Sequence, residues 1–450
     1  MKLESFMMRK VPLWVLLLLV LFALCSTVLF GWYVKRALQQ DARLESYGSA
    51  IVAIADFPSQ MKRTFDELKE KKSPLLLINR FPEIDNFNEN GEMQQGAATD
   101  KGYLLLSVYD QNKGQSVVKL VRISDNYVVH EWVPSIEELK THIHYDPNNN
   151  VQPLRYRIMH PLLLDDGSIV FKMEGPLVKV DACSRIKWVT NGVFHHSIEQ
   201  DSSGNLWVPS VIEPSTYDMD KLGRYRDDAI TQVSLNGKVL FRKSVSRILE
   251  ENGYVGLLFG VSLYEDMIHL NDIQPALYTT QYWKEGDLLI SLRHRSTVFL
   301  YRPSSNKIIW LKTGPWLNQH DVNFVGQSEI SVFNNNVLRS KRGGDIEVGN
   351  NNIMIFDFAD GHVSTPYNKP LDSLKVHTST EGRGEILDNG DVFIEETNYG
   401  RILRASKDKV VWQFASKVND KFVSMTHWSR YLTKEQVRNV IPVLEGSTCP

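Results

Sequence analysis

Cysteine is nearly absent from this chain: of 450 residues only Cys25, Cys183 and Cys449 carry a thiol. So few exclude a disulfide-built scaffold and a cysteine-rich metal cluster. They leave one conceivable pair outside the apolar N-terminus, Cys183 with Cys449, and two thiols in a sequence do not decide whether they join. A surplus of positive charge is missing too. Lysine and arginine number 51 against 53 acidic residues, for a formal net charge of −2. No basic stripe runs through the body of the chain, so the footprint of a nucleic-acid binder is lacking. Phosphate-loop signatures are also missing, because GRGE at 382–385 and the glycine pair at 343–344 have no strand-loop-helix context.

Long hydrophobic runs are limited to one. No charge occurs from Val11 to Val34, a run that at about 1.5 Å per residue reaches roughly 36 Å, enough for a hydrocarbon core of about 30 Å. Trp14 near one end and Trp32 with Tyr33 at the other occupy the places interfacial aromatics prefer, and Lys2, Arg9 and Lys10 face Lys35 and Arg36 across the run. A cleaved signal peptide is the alternative, but the run exceeds the usual apolar region of about 7–15 residues and no small-x-small site follows. Phe22-Ala23-Leu24-Cys25 resembles a lipoprotein site only loosely, since Leu24 is large. The expectation is a single-pass protein with residues 1–10 in the cytoplasm, an anchor at 11–34 and the body in a periplasm-like space.

The chain then changes character. Residues 35–97 read as a helical stalk and linker: PSQMKRTFDELKEKK, from Pro58, has Ser59 as cap and Met61, Phe65 and Leu68 in one apolar row, while 76–97 show little periodicity. From 98 to 432 the texture becomes short runs of Val, Ile, Leu, Phe and Tyr between Asp-Gly, Asn-Gly and Ser-Gly turns, which reads as strands. Residues 433–450 form a C-terminal tail, and THWSRYLTKEQVRNVIPVL, from Thr426, reads as one closing helix. Within the body a unit recurs, as in DDGSIVFKMEGPLVKVDACSRIKWV from Asp165, EGDLLISLRHRSTVFLYRPSSNKIIWL from Glu285 and DNGDVFIEETNYGRILRASKDKVVWQF from Asp388. Its aromatic marker falls at Trp132, Trp188, Phe241, Trp310 and Trp412, a period near 50 with one unit skipped. Repeats of that length with four strands each predict an all-β, six-bladed β-propeller, whose inner strands converge on a central channel. A β-sandwich is the alternative, and it makes the repeat a coincidence.

In such a fold, residues far apart in sequence meet at the channel. His195 and His196 precede one strand pair, His269 and Asn271 alternate on a short extended segment, Arg293 ends an apolar strand, and His320 precedes another pair. His196, His269 and His320 follow one another by about one repeat, so they are expected at equivalent positions facing the channel, although any one of them alone reads as a hydrogen-bonded histidine at a blade edge.

The series F-H-H-S-I, H-L-N-D-I, L-I-S-L-R and Q-H-D-V with I-S-V-F-N-N resembles the bacterial arylsulfate sulfotransferases, over most of residues 155–415. The resemblance implies a six-bladed propeller that moves a sulfuryl group from an aryl sulfate to a phenolic or other hydroxyl acceptor, by ping-pong kinetics through a sulfated histidine, with neither a nucleotide sulfate donor nor any cofactor. It implies His320 as the nucleophile, His196 and His269 as channel histidines with acid-base work, Arg293 as the grip on the sulfuryl oxygens, and Asn271 as substrate-binding; His195, beside His196, is expected to bind substrate as well. The chain departs from the family pattern at Ser197, where an aspartate is usual, and in its more basic His294-Arg295. The anchor raises the possibility of a glycan or lipid-linked acceptor at the membrane surface. Two rivals remain: a zinc site built on the three imidazoles, opposed by the lack of a carboxylate at ligand spacing and by Arg293, and a non-catalytic propeller that binds a glycan or protein. No metal is expected, and the sequence leaves the oligomeric state open.

Overall fold

A computed structural model describes residues 12–38, 47–48, 50–58, 61, 73–143, 151–217, 225–260, 265–339 and 345–449. The chain divides into two compact units, 1–72 and 73–450. In the first, one α-helix spans Leu13–Leu38, four residues beyond the uncharged run, so Lys35 and Arg36 lie in its last turn, with the Arg36 guanidinium 4.3 Å from the centre of the Trp32 ring. The span Leu13–Ala37 is long and apolar enough to cross a membrane by length and composition, which a signal sequence would also satisfy. Residues 50–58 are helical. Most of the amphipathic helix expected from Pro58 lies outside the described residues.

The second unit is mostly β. Four antiparallel sheets have four strands each. One contains Leu270–Pro275, Leu288–Leu292, Thr297–Arg302 and Lys307–Thr313; the next His320–Val325, Glu329–Asn334, Asn352–Asp357 and Val363–Ser364; the next Arg383–Ile386, Val392–Glu396, Arg401–Ala405 and Val410–Ala415. The fourth joins the two ends of the unit: Arg430–Leu432 pairs with Tyr103–Asp110, followed by Gln115–Arg122 and Tyr127–Trp132. A larger sheet consists of two sets of four, Met159–Leu163 to Ile186–Phe194 and Glu199–Gln200 to Val239–Ser244, joined by the single pair Phe194 with Ser210. The aromatic marker of the repeat lies on the fourth strand of its set every time: Trp132, Trp188, Phe241, Trp310 and Trp412. The skipped set is the one that starts at His320, whose fourth strand is only Val363–Ser364.

Successive sets are tied by buried side chains at their first strands. Ser197 Oγ accepts from the backbone N–H of Ile273 at 3.1 Å, Asp272 Oδ2 from Val322 at 2.7 Å, and Asp321 Oδ2 from Gly384 at 2.7 Å. Each acceptor captures an N–H of the following set, so each first strand is fixed in register against the next. The same strands bulge. Pairing slips between Leu270 and Asp272 and between His320 and Val322, leaving Asn271 and Asp321 as the extra residues, a device that bends a strand and re-aims its side chains.

Three expectations need correction. Residues 76–97 are not a linker: Leu76–Ile78 pairs with Phe422–Ser424, three short strands follow, and Ile84 and Phe87 are fully buried, Phe87 edge-on to Trp412 at 5.2 Å. The lack of periodicity reflects strands too short to display one. The segment from Thr426 is not one helix but the strand Arg430–Leu432 and two short helices, Lys434–Val437, whose Thr433 and Gln436 form a capping box, and Val440–Glu445. The tie pattern also makes His196, Asn271 and His320 the equivalent residues, each just before an acceptor. His269 stands two residues earlier, where Asn318 stands in the next set; both are left-handed, at φ 51° and 49°. Cys183 and Cys449, left open above, form a disulfide across 266 residues.

Asp272 supplies a test. Burial first, then Asp321 and Glu199 nearby, raises its carboxyl well above the usual range. The stability this group contributes is therefore complete at low pH and is lost as pH rises through the raised native value. Asp272→Asn keeps an acceptor without the charge and should melt no lower than the parent at pH 8. Asp272→Leu strands the Val322 N–H and should lose roughly 1–3 kcal/mol. Thermal denaturation of both variants checks this.

Candidate active site

The sets bring five of the six singled-out residues to one cavity of about 250 Å³, lined by His195, His196, His269, Arg293 and His320 together with Arg157, Lys172, Glu174, Thr380 and Glu381. His195 and His196 end the turn after Ile186–Phe194, His269 precedes Leu270–Pro275, and His320 opens His320–Val325. Arg293 begins the 3-10 turn Arg293–Arg295. The His196 ring centre lies 4.9 Å from that of His269 and 6.3 Å from that of His320. Asn271 is not on the cavity wall. It is fully buried and donates through Nδ2 to Gln319 O at 2.6 Å, which fixes the peptide just before His320.

The tautomer of His320 follows from its partner. Asn335 donates through Nδ2 to Thr378 O at 2.9 Å and to Glu381 O at 2.8 Å, so its Oδ1, 2.7 Å from His320 Nδ1, is the acceptor. Nδ1 therefore carries the proton, and Nε2 presents its lone pair. Burial first, then the Arg293 guanidinium, holds His320 well below the usual imidazole range, so the lone pair is available at neutral pH. His196 is held down in the same way by burial and then by His269.

His269 has a different surrounding. Its Nδ1 is 2.5 Å from Asp266 Oδ2. Burial pushes the Asp266 carboxyl up, but the hydrogen bond from His269 and the neighbouring positive charge outweigh this and hold it below the ordinary carboxylate range. His294 lies beside it, 4.4 Å between ring centres. His294 Nδ1 is 2.7 Å from Asp266 O and its Nε2 is 3.1 Å from Arg293 Nη1, so the ring bridges the carbonyl to the guanidinium and orients the latter. Burial and then His269 push His294 down to about 3. A further node is Asp228. Its Oδ1 lies 3.3 Å from His195 Nε2 and accepts from Arg226 Nε at 3.0 Å, while its Oδ2 accepts from the Leu270 N–H at 2.8 Å, next to His269.

The expectation that no carboxylate accompanies the histidines is thus corrected: Asp266, His269 and His294 offer ligand atoms within 4.8 Å of one another. The residues do not suit a cation there. The Arg293 and Arg339 guanidiniums both reach His294 ring nitrogens, which places two fixed positive charges at the position of the ion. Sequence reasoning missed Asp266, His294, Asn335 and Asp228. The three asparagines after Phe333 and the spacing E-D-M-I-H were the available signals.

Buried imidazoles with lowered values make the protein acid-sensitive. Between the depressed native value and the free value near 6.5 the unfolded chain binds the extra proton, so stability rises with pH across that interval and falls on acidification. Each such histidine contributes up to about 1.4 kcal/mol per pH unit. Denaturant unfolding at pH 7 and pH 5 should show a steep loss, smaller by about that slope in His320→Gln.

Three solved structures illustrate what the chain is similar to. A protein of unknown function from Bacteroides caccae is 12% identical over 74% of this chain and 99% of its own, with a TM-score of 0.46. TolB from Acinetobacter baumannii is 10% identical over 74% and 67%, at 0.41. Virginiamycin B lyase from Staphylococcus aureus is 10% identical over 73% and 96%, at 0.37. Likeness at this level bears on neither activity nor substrate. No curated protein matches the chain. The sequence does match the family model described as Arylsulfotransferase (ASST) over residues 160–417, more than half of its length and the stretch that supplies every histidine of the cavity, and the chain belongs to that family.

Proposed function

We propose that the protein transfers a sulfuryl group from an aryl sulfate to a phenolic or other hydroxyl acceptor through a sulfated His320, without a nucleotide sulfate donor. The observation that carries this reading is the fixed tautomer: Asn335 holds the Nδ1 proton, which leaves Nε2 unprotonated on a ring that lines the same cavity as Arg293. Nε2 attacks the ester sulfur, the bond from sulfur to the aryl oxygen breaks, and His269 protonates the departing phenolate with Asp266 as counter-ion. The acceptor hydroxyl then returns a proton to His269 while its oxygen attacks sulfur, and the N–S bond breaks. Arg293, oriented through His294, faces the charge that spreads over the sulfuryl oxygens. His195 and Asn271 act one step back, through His196 and through the Gln319 peptide.

The same reading covers the architecture. We take residues 98–432 as six blades around a channel, joined by the pairing of Arg430–Leu432 with Tyr103–Asp110, and residues 1–97 as head, anchor and an approach to the first blade. Placement of the body outside the cytoplasm is supported by the Cys183–Cys449 disulfide, a bond of oxidising compartments.

Steady-state kinetics of the detergent-solubilised protein test the proposal. A chromogenic aryl sulfate with a phenol acceptor should give parallel-line, ping-pong kinetics. His320→Asn should abolish phenolate release, and Asp266→Asn should lower kcat about 100-fold or more. No release from any of several aryl sulfates would defeat the reading.

A further inference from the structure

Lys172 ends the strand Ile169–Lys172, lines the cavity with His196, His320 and Arg293, and is wholly buried. Among the described residues its Nζ has no hydrogen-bond partner. The charged and titratable groups that face it are Arg157, Glu381 and Glu174, with His160 and His196. Neither carboxylate bonds it: Glu381 Oε2 accepts from Arg157 at 2.6 Å and Glu174 Oε1 from Arg226 at 2.8 Å. Burial first, then Arg157, drives the amine well below the ordinary lysine range.

An unpartnered polar group this deep is a standing loss that an apolar side chain of the same length would remove. Its position on the wall of the histidine cavity indicates what supplies the missing partner. Resting on the sulfuryl-transfer reading above, we propose that Lys172 Nζ is a substrate-contacting residue that binds the sulfuryl oxygens of the incoming ester and takes up a proton from solvent as the anion enters. The empty site then holds a neutral amine, and the loaded site an ammonium beside a sulfuryl anion, a second donor alongside Arg293. The proton comes from water, no covalent bond is made to Lys172, and the proton leaves when the anion does. Anion affinity therefore falls as pH rises, since capture needs a proton that solvent supplies less readily.

Calorimetric titration of the whole chain in detergent at pH 8 tests this, with inorganic sulfate, and with phenyl sulfate in the His320→Asn background, in two buffers of different ionisation enthalpy. With Lys172 present, about one proton should be taken up per anion bound. Lys172→Met should lower affinity about 10- to 100-fold, abolish the uptake, and melt no lower than the parent. Lys172→Arg should retain affinity without uptake. Unchanged affinity and uptake in Lys172→Met overturn the proposal, whatever its melting temperature, as does failure of the parent to bind either anion. If both anions bind with Lys172-dependent uptake but unmutated protein never transfers the sulfuryl group, the anion site stands and the transfer reading falls.

Discussion

Everything at the site depends on one buried contact made repeatedly: a side-chain oxygen on one set of strands accepting the backbone N–H of the next. Ser197, Asp272 and Asp321 make it to Ile273, Val322 and Gly384. The residue before each acceptor is His196, Asn271 or His320, so the contact that fixes neighbouring sets also fixes two cavity histidines and the asparagine that holds the Gln319 peptide. The bulges at Asn271 and Asp321 work with it by bending both strands at this same segment. Chemistry and cohesion are adjacent in the chain because one strand segment serves both.

Around that frame the surroundings keep imidazoles neutral and arginines charged. His196 and His294 are held down by burial and then by His269, and His320 by burial and then by Arg293, whereas for Arg226 and Arg383, which lie off the cavity wall, the neighbouring carboxylates outweigh the lowering by burial and raise them. The result is an imidazole at His320 with a free lone pair and the Arg293 guanidinium nearby, the surroundings that the proposed attack needs. Two of the cavity histidines have a carboxylate partner, His269 in Asp266 and His195 in Asp228, whereas His320 has the amide of Asn335, a division that suits the proposed roles of proton transfer and attack. A bare count of histidines does not reveal that division.

Much of this was legible in the sequence because repetition averages out local ambiguity. The aromatic marker at Trp132, Trp188, Phe241, Trp310 and Trp412 gave the four-strand unit, and its spacing told which set lacked one. The convergence of His196, His269 and His320 followed from the same period. What was not legible involved single events. Cys183 and Cys449 meet across 266 residues through the path of the whole unit. Asp266 and Lys172 carry no signal of their own in the sequence, because burial is set by neighbours from other sets. Phe87 looked like linker for the same reason: it packs on Trp412, more than 300 residues away.

The central claim is that His320 Nε2 carries the sulfuryl group between donor and acceptor. The most direct measurement is peptide mapping of the protein after brief reaction with an aryl sulfate in the absence of acceptor. The account predicts one sulfuryl group, on His320, linked through Nε2 and removed on addition of a phenol. A sulfuryl group on another residue, or transfer that proceeds with His320 unmodified, would contradict it.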